Sequence, residues 1–339
     1  MIDISRNLKN EEVSSIWWED LLLFLSSSHE TKDGRGRLFN GTSTYREAAI
    51  EKAKATINGG NNLSNEEKDE VGHYLNNFLK EDELKDYVLC KAEDLEEKIN
   101  KYTEEGHDPN FTAALANGMI YLYNSFTTKE LENGDTEAAK IMDSLGINTC
   151  PYCNREYTFT LYGKAKKTRP EFDHFYNKTY YPIFALSFYN LVPSCHVCNH
   201  IKGTDDVKVN PYVRGFKSKL HVLGNDKLLN RETLAPLSKD DIDIKFEGCD
   251  PDDKVNIEKL GLDSLYEQHK DYVKDLIDKV YAYDHDSREY LADAFQGKSE
   301  MPSEVYNFVW GTYLGAMQDN NWPLEKLTKD ILEQLGITK

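Results

Sequence analysis

Two Cys-x-x-Cys pairs constrain this chain more than anything else in its 339 residues. The first is Cys150-Pro151-Tyr152-Cys153 and the second is Cys195-His196-Val197-Cys198, with 41 residues (154–194) between them. Each pair presents two thiolates to one ion, and two pairs complete a tetrahedron around zinc. A redox Cys-x-x-Cys needs only one pair and a thioredoxin-like setting, so the spacing favours zinc. A site closed by four sulfurs has no open position, so this zinc is expected to be structural. The intervening stretch is long for a minimal zinc finger, but it suits a catalytic hairpin threaded between the two knuckles. Of the other cysteines, Cys249 is isolated, and Cys90, beside Val88 and Leu89, reads as a buried packing residue.

Unpaired thiols in this arrangement belong to a reducing compartment. The longest apolar run, Leu21-Leu22-Leu23-Phe24-Leu25, is too short to cross a bilayer. Met1-Ile2-Asp3-Ile4-Ser5-Arg6 lacks the charged-then-apolar order of a secretory signal. The expectation is a cytoplasmic chain without a membrane partner. A hydrophobic content of 39% with 29% charged residues suits a folded chain.

The net charge of −18 argues at first against nucleic acid, but it is unevenly spread. Between Cys150 and Leu220 there are 11 Lys and Arg against five acids, so that stretch carries 11 − 5 = +6 and the rest −18 − 6 = −24. A basic module in an acidic body suits a polyanion met locally. Lys164, Lys166, Lys167 and Lys202 are the candidate phosphate contacts.

The pattern predicts an α+β chain, mostly helical, in three parts. Residues 1–145 form a helical scaffold or docking region, 146–215 a compact catalytic module, and 216–339 a mixed then helical region. Val13, Ile16, Trp17, Leu21 and Phe24 share one helical face. Helices are further expected over Thr44–Ile57, from a Ser64/Glu67 start signal, over Glu83–Tyr102 and Phe111–Phe126, and over Thr136–Leu145 with Gly146 as its stop. In the module, Asn154–Leu161 and Arg169–Tyr176 read as two strands, Tyr180–Tyr189 as a crossover, and Ser194 as the cap of a short helix stopped by Gly203. Beyond it, Ile242–Phe246 alternates as a strand. Val255–Tyr283 reads as a short turn and then a long helix, and Ser287–Phe295, Ser303–Met317 and Leu324–Leu335 read as helices.

Phosphodiester hydrolysis needs a base for water, a cation on the phosphate and neutralisation of the leaving oxygen. His174 can be the base. Asp173 and Asn199 offer hard oxygen ligands for a Mg²⁺- or Mn²⁺-like ion. Asn190, with donor and acceptor groups, can tie the crossover's backbone to the first strand and hold His174 in orientation. Neighbouring strand residues point to opposite faces, so Asp173 and His174 share a site only where the strand ends or bends. Each residue alone is weak; their order inside the cysteine frame gives them weight.

That order, Cys-x-x-Cys, Asp173-His174, Asn190, Cys-x-x-Cys-Asn199 and Lys202, resembles the HNH endonuclease superfamily with its ββα-metal fold. The signature positions fall on His174, Asn190 and Asn199, where the last is often His, and the acid before the first histidine is Asp173. The string from Asp173-His174-Phe175-Tyr176 through Asn190-Leu191-Val192-Pro193-Ser194-Cys195 is similar to the HNH nucleases of bacterial anti-phage systems, the Septu type and its retron-associated relatives. The resemblance implies nucleic-acid cleavage during infection, with DNA the expected substrate before RNA, and a companion ATPase of the ABC/SMC-like type. His196 and His200 are minor candidates for metal or phosphate contact. The alternatives are a zinc-stapled nucleic-acid-binding subunit without catalysis, and an adaptor in which the acidic helices do the work.

Overall fold

Capping side chains direct several of the helix starts. The computed structural model describes residues 1–5, 7, 9–28, 31–32, 38–39, 43–55, 63–161, 168–223, 238–282, 309–310 and 322–337. The helices of the first 145 residues are α1 (Asn10–Ser26), α2 (Tyr45–Lys54), α3 (Asn65–Phe78), α4 (Glu81–Val88), α5 (Leu95–Glu104), α6 (Pro109–Thr127) and α7 (Glu137–Leu145). At α3 the Ser64 hydroxyl accepts from the Glu67 N–H at 3.2 Å, while the Glu67 carboxylate accepts from the Ser64 N–H at 2.6 Å. Thr44 and Glu47 form the same reciprocal pair at α2. A cap of this kind contributes about 1 kcal/mol. Helix α7 stops at Gly146, whose φ of 64° is left-handed.

Between Glu83 and Tyr102 the expected single helix is two, α4 and α5, with a turn through Cys90 and Lys91. The break lets Leu84 and Val88 on one piece, and Leu95, Ile99 and Tyr102 on the other, all reach the core. Cys90 is buried, as a packing residue should be. Helix α6 lies so close to α2 and α3 that a Cβ at Gly118 would stand 2.8 Å from the Ala49 carbonyl oxygen and 2.9 Å from Leu75 Cδ2. Only glycine permits that approach.

The strands form two-stranded antiparallel ladders: β1 (Thr31–Lys32) with β2 (Leu38–Phe39), β3 (Glu171–His174) with β4 (Leu191–Ser194), and β5 (Lys219–Leu223) with β6 (Asp243–Glu247). The short helix α8 (His196–Lys202) follows β4 directly. Then come α9 (Pro251–Lys259), α10 (Leu262–Tyr266), α11 (Lys270–Ala282) and α12 (Glu325–Gln334). Over Val255–Tyr283, where a short turn and then a long helix were expected, the chain forms the end of α9, then α10, then α11. The helices expected over Ser287–Phe295 and Ser303–Met317 fall outside the described residues, apart from Val309 and Trp310.

Buried side chains from all three parts of the chain join in one core. Trp17 of α1 sits at its centre. It makes edge contacts with Phe126 at 4.8 Å and Phe172 at 5.9 Å, and its indole N–H donates to the Leu186 carbonyl at 3.0 Å. The backbone N–H groups of Ile2 and Ile4 donate to the carbonyls of Pro151 and Pro211 at 2.7 and 3.0 Å, which ties the first residues to the central module. The chain is mostly helical with small sheets, as expected. Among the described residues, no helix is long and apolar enough to cross a membrane.

Candidate metal centre and catalytic site

At the first knuckle the Asn154 N–H donates to the Cys150 carbonyl at 2.7 Å and closes the turn over Pro151 and Tyr152. Asn154 then takes a left-handed φ of 49°, which Asn tolerates better than most residues. Its amide donates to Thr149 Oγ1 at 3.0 Å and to the Trp322 carbonyl at 3.1 Å, and its Oδ1 accepts the Lys326 N–H at 2.9 Å. The knuckle is thereby locked to the start of α12. Tyr266 of α10 adds a hydroxyl bond to the Cys153 carbonyl at 2.5 Å.

The second knuckle is the first turn of α8. Its cap is Cys195, not the expected Ser194: the Cys195 sulfur accepts from the Cys198 N–H at 3.4 Å. Ser194 is the last residue of β4 instead. Gly203 ends the helix with a φ of 53°, as expected. The four sulfurs are buried and lie within 4.8 Å of one another, with Cys153 and Cys195 at 3.9 Å. A sulfur–sulfur bond would be about 2.05 Å. A tetrahedron with Zn–S near 2.3 Å has edges of about 3.8 Å. Four buried thiols at this spacing fit a tetrahedral ion such as zinc.

The hairpin between the knuckles differs from the expected one. Asn154–Leu161 is not a strand and contributes only isolated bridges, Thr149 to Tyr157 and Leu161 to Thr168. The partner of β3 is β4, with Asp173 opposite Val192 and His174 opposite Leu191. Cys153 and Cys195 come together in the four-cysteine cluster, and the strand leading into Cys195 is the one that reaches β3.

Alternation along β3 sends Glu171 and Asp173 toward α8, and Phe172 and His174 toward α1 and α6. On the α8 side, Asp173 is 2% exposed. Its Oδ2 accepts from the Tyr152 hydroxyl at 2.7 Å, and its Oδ1 from the Lys202 ammonium at 3.2 Å. Burial raises the Asp173 carboxyl above its usual range, and Lys202 is the main influence against it. Lys202 is itself 1% exposed and also donates to the His174 carbonyl at 2.8 Å. It is a structural counter-ion here, not the surface phosphate contact that the sequence suggested. One turn back on α8, the Asn199 amide donates to Glu171 Oε2 at 2.6 Å, and His196 Nδ1 lies 2.9 Å from Glu171 Oε1. Burial works against ionisation of Glu171, but the bonds from Asn199 and His196 outweigh it and hold the carboxyl below its usual range. The ring of His200 stacks on His196 at 5.8 Å.

Asp173 and Asn199 thus lie in one layer between β3 and α8, each turned to another partner. Carboxylate and amide oxygens suit a hard divalent ion in kind. At Asp173, the Lys202 ammonium already supplies the positive charge.

On the opposite side, His174 is 5% exposed. It is the last residue of β3, but its ring lies against Tyr123 and the Ala185 carbonyl while the Asp173 carboxylate lies against Tyr152 and Lys202, so the strand end does not bring the two side chains together. Its Nε2 lies 3.0 Å from the Ala185 carbonyl oxygen. A carbonyl only accepts, so Nε2 carries the proton and Nδ1 keeps its lone pair. Tyr123 of α6 packs edge-on against the ring at 4.6 Å. Burial, with the Lys178 ammonium second, pushes the imidazole down to about 3, so it is neutral. Asn190 is fully buried. Its Oδ1 accepts the Tyr176 N–H at 2.8 Å, and its amide donates to the Tyr176 and Phe184 carbonyls, each at 3.1 Å. It ties the crossover that holds Ala185 to the loop after His174, and not to the first expected strand.

Lys164, Lys166 and Lys167 lie outside the described residues. Four residues escaped the sequence reading: Tyr152, Glu171, Tyr123 and Lys178. Glu171 had a signal, since it stands two before Asp173 and period two puts both on one face. Tyr152 had a weaker one, inside the knuckle. Tyr123, some 50 positions away, had none.

Against this geometry, the chain is similar to Septu protein PtuB of Bacillus thuringiensis. The two are 31% identical over 110 residues, which is 31% of this chain and 39% of that protein. No family model matches the sequence. No solved structure matches it either.

Proposed function

We propose that this chain is a metal-dependent endonuclease of the HNH type that hydrolyses phosphodiester bonds of nucleic acid, DNA before RNA. The observation that carries this reading is the state of His174. Its proton is fixed on Nε2 by the Ala185 carbonyl, which leaves the Nδ1 lone pair at the end of a strand framed by the cysteine knuckles. Nδ1 takes a proton from water as the water oxygen attacks phosphorus, and the bond to the 3′ oxygen breaks on the far side. Asn190 keeps the crossover in place so that the imidazole stays oriented. Asp173 and Asn199 would hold a Mg²⁺ or Mn²⁺ ion, which supplies positive charge for the phosphate and the leaving oxygen when bound. The four cysteines hold structural zinc. Residues 1–145 and 216–339 flank this module at 146–215.

The likeness to a Septu protein supports a role in bacterial anti-phage defence together with a partner. The ABC/SMC-like ATPase is the class of partner that the sequence resemblance implies, and the cytoplasm is the expected location. The test is nicking of supercoiled plasmid with Mg²⁺ or Mn²⁺. His174→Ala is expected to lose roughly 10²- to 10⁴-fold in rate with zinc content and melting temperature kept. Cleavage at the wild-type rate by clean His174→Ala ends the assignment.

The burial of His174 and the Lys202–Asp173 ion pair favour a second reading, a zinc-stapled nucleic-acid-binding or adaptor subunit. That reading expects DNA to be retained in the same assay with no cleavage that depends on a divalent ion.

A further inference from the structure

The loop that follows β3 is built to hold one side chain in place. The Asn177 side-chain oxygen accepts the Thr179 N–H at 2.8 Å, and the Asn177 carbonyl accepts the N–H groups of Tyr180 and Tyr181 at 3.1 and 2.9 Å. Asn190 pins Tyr176 just before it. The residue inside this tightened turn is Lys178. Its ammonium lies over the Tyr123 ring, 4.6 Å from the centroid, and the same ring meets the His174 imidazole at 4.6 Å. One tyrosine from the helical part of the chain therefore bears both the candidate base and a cation.

Lys178 is half-buried, yet among the described residues it forms no ion pair with a carboxylate and no hydrogen bond. Among the described residues, the module's other buried or part-buried cations each have a partner: Lys202 has Asp173, Arg214 has Asp250 and Asp253, Arg155 has the His269 ring nitrogen, and Arg169 the Pro170 carbonyl. Burial depresses the Lys178 ammonium at a cost that outweighs the Asp173 carboxylate, which is bonded to Lys202 and favours the Lys178 ammonium from a distance. The π-face of Tyr123 offsets only part of that cost. An anion arriving beside His174 would offset the rest.

We infer that Lys178 binds the phosphate group on which His174 acts, and that Tyr123 holds it there. This rests on the nuclease reading for what happens next, but phosphate binding can be measured without cleavage. The substrate class is a phosphodiester of nucleic acid, and Lys178 contributes a point charge that carries no sequence preference.

The experiment measures binding of a short DNA duplex by fluorescence anisotropy across a KCl series, without added divalent ion, for wild type, Lys178→Met and Lys178→Arg. Losing one phosphate contact lowers the slope of log affinity against log salt by about 1. Lys178→Met should show that change and bind roughly 10-fold more weakly. Lys178→Arg should keep the wild-type slope. Plasmid cleavage is then run with Mg²⁺ or Mn²⁺, where Lys178→Met should lose about 10²-fold. A Lys178→Met protein with wild-type slope and affinity overturns the assignment. So does Lys178→Arg losing as much slope as Lys178→Met, because the lysine would then matter only to packing. If the slope changes as expected and wild type still cleaves nothing, Lys178 stands as a phosphate-binding residue and it is the nuclease reading that falls.

Discussion

Toward α8, strand β3 presents two carboxylates, and both are answered. Asp173 meets Tyr152 and Lys202, while Glu171 meets Asn199 and His196. Toward α1 and α6, the same strand presents Phe172 and His174, and there the neighbours are Trp17 and Tyr123. One face keeps charges by pairing them. The other keeps a titratable ring neutral by drying it. Residues one position apart are therefore held in opposite electrostatic states, and the pleat of the strand separates them. A slip of one residue in register would bring Asp173 against Tyr123 and His174 against Lys202. The cysteine frame guards against that slip, because Cys195 directly follows β4 and fixes where it ends.

The sharpest way to break the contrast is to remove what both faces hang from. Cys198→Ser, or zinc chelation, should cost on the order of 10 kcal/mol of binding energy if structural zinc is present. The near-UV circular dichroism of the aromatic wall should disappear together with the metal signal in mass spectrometry. A chelated protein that keeps its near-UV spectrum would mean that the hairpin stands without the ion.

Next in size is an attack on the paired face alone. Lys202→Met leaves the Asp173 carboxylate buried without its counter-ion, an expected loss of about 3–5 kcal/mol in chemical denaturation. Adding Asp173→Asn removes the uncompensated charge and should recover much of that loss, because the two side chains share one interaction. A Lys202→Met protein that loses less than about 1 kcal/mol would show that the pair is not formed in solution.

The paired face was partly legible in the sequence, and the dry face hardly at all. Ser64 with Glu67, Gly146, Gly203 and the two knuckles are local signals, each settled within a few residues, and each is where it was expected. Period two along β3 puts Glu171 and Asp173 on one face, and the three-residue step puts Asn199 and Lys202 on one side of α8, although Glu171 was not among the expected site residues. The choice of strand partner was not local. Asn154–Leu161 has the aromatic and β-branched make-up of a strand, but the first knuckle's anchors to α10 and α12 hold it elsewhere. Leu191–Ser194 carries Pro193 and looks like a poor strand, yet it leads straight into the four-cysteine cluster and pairs with β3. Tyr123 against His174 is a contact between distant parts of the chain, and only the packed core brings it about.

The dry face can be loosened without touching the base. Trp17→Phe keeps most of the ring packing against Phe126 and Phe172 but leaves the Leu186 carbonyl without its indole donor. A buried acceptor left unpaired costs about 1–3 kcal/mol. Leu186 adjoins Ala185, so the His174 imidazole should also become less well held. Urea denaturation reads the first effect, and broadening of the His174 ring signals in NMR reads the second. Lost stability with an unchanged ring signal would separate the wall from the orientation of the base.

Asn199→Ala sharpens the comparison from its least buried corner. The Asn199–Glu171 bond lies at an open edge, where the Glu171 side chain is 40% exposed, so water can replace the amide once it is gone. The expected stability loss is therefore under about 1 kcal/mol, far below that of Lys202→Met on the same strand face. The activity expected under the nuclease reading runs the other way. An ion ligand at position 199 would make Asn199→Ala nearly inactive, with its fold and zinc intact. The two measurements together, denaturation and divalent-dependent plasmid cleavage, divide this face into a buried pair that holds the structure and an exposed edge that does chemistry. A variant that is both stable and fully active would remove Asn199 from the site and leave the Glu171 and Asp173 carboxylates to account for the ion.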